Sequence, residues 1–208
     1  AVLPTQESHG PRLRWGIERS LKDNRGNYPF VVSLNLQDSS DGLDAMRSGL
    51  ANFSRSNVLG VIGPMQSSYA FYAKKWANET GIPVITPLAS ASYLTRPGEV
   101  DYFFRATMSD GARAKNLVEW IRIKGLMNNP YLIHEWAPPH SEEETPEIYG
   151  ASQASAVKRY LNHVETIRFT RGSENSMLDA AQKVENDGRA IMIFGYTSNI
   201  KIIIKALQ

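Results

Sequence analysis

The chain has 208 residues, 42% of them hydrophobic, with 23 Lys and Arg against 21 Asp and Glu and no cysteine. That length suffices for one large α/β domain or two small ones; the near balance of charge lacks the basic footprint of a nucleic-acid binder; and the missing cysteines exclude disulfides, thiolate nucleophiles and thiolate metal sites. No run approaches the roughly 18 to 20 apolar residues of a membrane-spanning helix. Ala1-Val2-Leu3-Pro4 lacks the basic and apolar regions of an export signal, so any such signal is expected outside this chain.

In chain order, β-branched or aromatic runs alternate with longer amphipathic segments, the pattern of a layered α/β fold with a largely parallel sheet. Helix spacing over 13–22 is followed by an extended run over 30–36, a helix over 43–54 and a strand over 58–62. A helix over 69–80 and a strand over 83–86 come next, then a turn-rich interruption, Thr95-Arg96-Pro97-Gly98-Glu99, and an extended run over 102–106. Ser109-Asp110 offers an N-cap to a helix over 111–124, and 102–110 is the expected crossover between two lobes. Strands over 131–135, 164–169 and 190–194 then alternate with helices over 152–162, 177–186 and 199–207. Gly125 and Gly188 stand where helix C-termini need a left-handed residue. The stretch from Trp136 to Pro146, rich in proline and acid, reads as a solvated surface loop.

The chemistry of catalysis is thin. His9, His134, His140 and His163 lie far apart and match no metal-ligand spacing. There is no G-x-S-x-G elbow, no G-x-G-x-x-G after a strand and no P-loop. No metal and no cofactor is expected, and the reading is of a protein that is not an enzyme. The rival reading is an α/β enzyme using Asp38, Asp41 or Glu135 as acid or base, although these carboxylates suit surface, turn or capping roles as well.

Two strand ends carry small polar residues instead. The strand over 58–62 runs into Gly63-Pro64-Met65-Gln66-Ser67-Ser68, and that over 83–86 into Pro87-Leu88-Ala89-Ser90-Ala91-Ser92. In open α/β sheets ligands bind beyond the carboxyl ends of strands, where hydroxyls and helix N-termini suit a carboxylate. The competing explanation is that these serines only cap a helix and a turn.

Read together, Val61-Ile62-Gly63-Pro64 with Ser67-Ser68, Ala77-Asn78-Glu79-Thr80-Gly81-Ile82-Pro83-Val84-Ile85-Thr86-Pro87-Leu88-Ala89-Ser90, and Leu94-Thr95 with Tyr102-Phe103-Phe104-Arg105-Ala106 and Ser109-Asp110 resemble the extracellular ligand-binding receptor family. That family includes the leucine/isoleucine/valine-binding proteins of ABC transporters. The resemblance implies a type 1 periplasmic-binding-protein fold of two Rossmann-like lobes with largely parallel sheets flanked by helices: a first lobe over 1–106 and a second, incomplete lobe over 107–208, truncated at the C-terminus. It places Ser67 or Ser68, the backbone of Ala89 and the hydroxyl of Ser90 on the carboxylate of an amino-acid-like ligand. It also implies that Tyr149, before Gly150, and Tyr196, after Gly195, face that ligand from the second lobe. The acidic residue that many members offer to the ligand's ammonium is absent from the pattern.

The function so implied is capture of an amino acid or similar small carboxylate in an interlobe cleft, outside the cytoplasm, for an ABC transporter, with closure bending at 104–110. The expected partners are the small-molecule ligand and a membrane transporter or sensor subunit, with no nucleic acid. Two alternatives stand beside it. One is a ligand-sensing domain of a signalling protein. The other is a dimerisation fragment, a homodimer paired through the aromatic-rich helix that carries Tyr69, Phe71, Tyr72 and Trp76.

Overall fold

The computed structural model describes residues 1–6, 9–27, 29–96, 98–136 and 149–208, so most of the proline- and acid-rich stretch falls outside the described residues. The elements are β1 (Val2–Leu3), α1 (His9–Asp23), β2 (Gln37–Asp38), α2 (Leu43–Ser54), β3 (Val61–Ile62), α3 (Ser67–Thr80), β4 (Val84–Thr86), β5 (Phe103–Arg105), α4 (Asp110–Ile123), β6 (Tyr131–Trp136), α5 (Tyr149–Lys158), β7 (Glu165–Thr170), α6 (Glu174–Gln182), β8 (Ile191–Phe194) and α7 (Thr197–Ala206). All strand pairings are parallel, in the orders β1-β2, β3-β4-β5 and β7-β6-β8. The chain forms two compact units, Ala1–Ala89 with Leu94–Thr107, and Ser90–Tyr93 with Met108–Gln208.

In the first unit, α3 turns Ala70, Ala73 and Ala77 inward at helical spacing, all fully buried, and packs on β4, β5 and α2. Small side chains let that helix lie close to the sheet. Met46, Leu50 and Phe53 of α2 and Val61, Val84 and Phe103 of the strands complete this core. The alternate strand positions behave differently: Ile62 packs against the cluster of Ala1, Leu3 and Met65, whereas Ile85 and Phe104, paired in register, are 38% and 52% exposed.

The extended run expected over 30–36 is not a strand. Register pairs Val2 with Gln37 and Leu3 with Asp38, and β1 is only two residues long. Residues before 37 therefore have no ladder to join, and Val31 is 96% exposed. At the other end of this pair, Gly63 meets the backbone of β1 so closely that a Cβ would lie 2.1 Å from the carbonyl oxygen of Val2, and its φ of 111° suits only glycine. Proline at 11 is tolerated in α1 because the first turn has no use for its N–H.

Leu94, Glu99 and Asp101, in and beside the turn-rich interruption, are held from α3. Lys74, only 13% exposed at its side chain, sends its Nζ to the carbonyl of Leu94 at 3.0 Å, to Glu99 at 2.7 Å and to Asp101 at 2.9 Å. The hydrogen bond from Lys74 holds the Glu99 carboxyl below its ordinary range.

The second unit is built on β6, whose first five residues are buried. Alternation sends Leu132 to a core with Val118 and Ile121 of α4 and Ala154 and Val157 of α5. It sends Tyr131 and Ile133 to a core with Phe169, Met177 and Ala180, and Ile203 of α7. Ser109 caps α4 as expected, its Oγ accepting from the N–H of Ala112 at 3.2 Å. Gly125 ends α4 with φ 69°, but Gly188 lies past α6, in the turn before β8.

Candidate ligand-binding site

The two serine-bearing segments follow β3 and β4, which are adjacent, so their carboxyl ends lie side by side in the first unit. One fully buried hydroxyl joins the loops. Thr86 Oγ1 donates to the carbonyl of Pro64 at 2.6 Å and accepts from the N–H of Ala89 at 3.1 Å. A hydroxyl can do both at once, so one side chain sets the spacing of both loops.

Ser67 and Ser68 are the first two residues of α3, the former buried and the latter half-buried. The capping position belongs to Gln66, which is extended and makes no side-chain capping bond, so helix capping does not account for the serine pair. The positive end of α3 stands directly after β3, where it favours an anion. Ala89 is buried, and its N–H is committed to Thr86, which leaves its carbonyl as the backbone group for other use.

Ser90 groups with the second unit. Its carbonyl accepts from the N–H of Asp110 at 2.7 Å, and its side chain is buried. Ser92 Oγ accepts from the N–H of Gly111 at 2.9 Å. Asp110, fully buried in the first turn of α4, accepts from Ser152 Oγ of α5 at 2.8 Å. A carboxylate is stabilised there by the helix dipole.

Tyr149 opens α5, but its side chain lies outside the described structure. Tyr196 precedes α7, is 37% exposed, and donates its N–H to Glu135 Oε2 at 3.1 Å. Glu135, named by the enzyme rival as an acid or base and otherwise read as a surface, turn or capping residue, is fully buried near the end of β6, and its Oε1 accepts from Arg171 Nε. The Arg171 guanidinium stacks on Tyr196, with Cζ 4.5 Å from the ring centroid.

The glycines beside both tyrosines make room for this carboxylate. A Cβ on Gly150 would lie 2.8 Å from Glu135 Cβ, and one on Gly195 would lie 3.1 Å from Glu135 Oε2. Asp38 is also structural. It accepts from the Thr5 and Ser40 hydroxyls and from both backbone N–H groups, bonds that hold its carboxyl far below the usual range.

Glu135 was singled out from the sequence only as an acid or base of the enzyme rival, and Arg171 was not singled out at all. The available signal was a charged residue inside the run Tyr-Leu-Ile-His-Glu-Trp of a buried strand. Among the described residues no group of three or more His, Cys, Asp or Glu is arranged to hold a metal ion, and no helix is long and apolar enough to cross a membrane.

The family model described as "Receptor family ligand binding region" matches residues 19–126. Glutamate receptor 2.9 of Arabidopsis thaliana is 29% identical over 148 residues, 68% of this chain and 15% of that protein. Glutamate receptor 2.8 of the same plant is 33% identical over 90 residues, 43% of this chain and 9% of that protein. Among solved structures, an extracellular ligand-binding receptor from Verminephrobacter eiseniae superposes with a TM-score of 0.79 at 16% identity, over 99% of this chain and 59% of that one. The branched-chain amino-acid substrate-binding protein LivJ of Streptococcus pneumoniae, in complex with isoleucine, does so with 0.76 at 19% identity, over 99% and 59%. The fold is thus that of type 1 periplasmic binding proteins, and the chain spans about 15% or less of these curated relatives.

Proposed function

Because the chain belongs to the family of receptor ligand-binding regions, we propose that it captures an amino acid or a similar small carboxylate outside the cytoplasm, without turning it over, for a membrane transporter. The observation that carries this reading is the Thr86 clasp. It fixes two adjacent strand-end loops, and with them the N-terminus of α3 and Ser67 and Ser68, at the edge where open α/β sheets receive ligands. These donors are neutral hydroxyls and oriented backbone groups, which suit binding and release of a carboxylate. Ser90, Tyr149 and Tyr196 are proposed as ligand contacts of the second unit.

A sensory role is the second reading, and a specific observation favours it: the matched curated relatives are plant glutamate receptors. On that reading the same capture step feeds a signalling protein. The dimerisation reading has less support, since the Trp76 Nε1 bonds Ser54 Oγ at 2.9 Å and Tyr72 lies under Arg47 at 4.4 Å, both within the first unit.

A thermal-shift screen against amino acids and small carboxylates tests the proposal. A compound at 100 times its dissociation constant should stabilise the protein by about 2.7 kcal/mol, and Ser90→Ala should weaken that response. If no compound in the set raises the melting temperature, ligand capture by this chain is refuted.

A further inference from the structure

Two asparagines of the chain stand two residues before a hydroxyl with no proline between them: Asn52-Phe53-Ser54 at the end of α2 and Asn78-Glu79-Thr80 at the end of α3. That is the acceptor pattern for N-linked sugar, and it has meaning only where the asparagine ends on the surface of a secreted protein. Asn52 and Ser54 are exposed, as are Asn78, Glu79 and Thr80. The two amides differ in what they already do. Asn52 Nδ2, the atom that would carry the sugar, donates to Gln37 Oε1 at 3.3 Å. Asn78 is held by its other end: Oδ1 accepts from the N–H of Tyr102, just ahead of β5, at 3.0 Å, and among the described residues its Nδ2 makes no hydrogen bond.

N-glycosylation forms a bond between Nδ2 and the anomeric carbon of an oligosaccharide carried on a polyprenyl pyrophosphate. The anomeric C–O bond breaks, the pyrophosphate leaves with the electron pair, and Nδ2 gives up one of its two protons. The product amide keeps one N–H and the lone pairs of Oδ1, so the bond from Tyr102 survives the modification. Transfer needs Asn-x-Thr extended, which α3 does not allow; it therefore precedes helix formation, and the fold's part is to leave the sugar room. The exposed last turn of α3 does so. Side chains on a helix lean toward its N-terminus, and a seven-residue step returns to nearly the same face. Asn78 thus shares a face with the exposed Phe71, about 10 Å away along the axis. Ser67 and Ser68 lie at the opposite end of the helix, about 15 Å along it, so the attachment point is remote from the strand-end loops.

We propose that Asn78 carries an N-linked glycan, projecting from the last turn of α3. The inference rests on the reading that the chain works outside the cytoplasm, and on passage through a eukaryotic secretory compartment, which the plant relatives favour. It also counts against pairing through α3, because the sugar would stand over the exposed Phe71. Asn52 is left out of the assignment, since its Nδ2 is already engaged.

The test is cell-free translation of the full 208-residue chain into eukaryotic microsomes, behind a cleavable secretion signal and with one reference Asn-x-Thr in an added C-terminal tail. Each sugar retards the chain on a gel by one step that peptide N-glycosidase removes, and the reference step marks the chains that crossed the membrane. The expected result is a further step in most of those chains, lost in Asn78→Gln and in Thr80→Ala and kept in Asn52→Gln. A band pattern that Asn78→Gln leaves unchanged would overturn the inference. Limited trypsin on the opened microsomes reads how well the fold accepts the sugar: glycosylated chains and Asn78→Gln chains should be cut at rates within about twofold. Cutting of the glycosylated chains more than about tenfold faster would also overturn it, because the sugar would then oppose the fold. Ligand capture is read separately, by the thermal screen on unglycosylated protein, so either reading can fail while the other stands.

Discussion

Both units carry a three-stranded parallel sheet, and they cover it unequally. In the second, β6 lies between two cores, one formed with α4 and α5 and the other with α6 and α7, and its first five residues are buried. In the first, α2 and α3 provide a core for one face, while on the other Ile62 packs against Ala1, Leu3 and Met65, and Ile85 and Phe104 are exposed. Parallel sheets are ordinarily covered on both faces. Equal strand number therefore does not mean equal stabilisation: the second sheet draws on apolar burial from both sides and the first mainly from one.

The largest effect should come from cutting into the doubly covered sheet. Phe169→Ala removes a ring that is 1% exposed and should cost about 3–5 kcal/mol in urea unfolding. A loss below about 1 kcal/mol would mean that this core is loosely packed and the contrast overstated.

A smaller, pH-dependent effect should appear in the first unit at Asp38. Hydrogen bonds from Thr5 and Ser40 depress its carboxyl below the unfolded value of about 3.9. The stabilisation is thus complete above that value and is lost as pH falls through the depressed, folded-state range. Asp38→Asn should lower the melting temperature at pH 7, and the gap to the unmodified protein should narrow at pH 3. A gap that stays constant would exclude the ionised carboxylate as its source.

The smallest effect should be that of Phe104→Ala, within about 0.5 kcal/mol, since this ring is 52% exposed. A cost near that of Phe169→Ala would show that the face is covered in solution and would erase the contrast between the units.

Much of this architecture was legible from residue spacing. The helix over 43–54 lies at the expected bounds, and the strands from 83 onward shift by about one residue, because periodicity and burial agree there. The run over 30–36 misled because its composition suits a strand while strand formation needs a neighbour, and β1 offers only two residues. The strand-end serines were legible because small polar residues at two successive strand ends form a local pattern. Thr86, Glu135 and Arg171 formed none. Thr86 meets a partner 22 positions away, and Glu135 meets one 36 positions away. Such pairings are created by strand register and leave no local spacing to read.

The two glycines beside Glu135 carry a further consequence. A methyl group at 150 would meet Glu135 Cβ and the Phe194 carbonyl oxygen, each at 2.8 Å, and one at 195 would meet the Phe169 ring at 3.0 Å and Glu135 Oε2 at 3.1 Å. A smaller residue at 135 would therefore ease only part of either clash, and the Phe194 backbone would still exclude a methyl group at 150. Tolerance at either glycine cannot be restored by a change at 135 alone, because each is hemmed in from two directions.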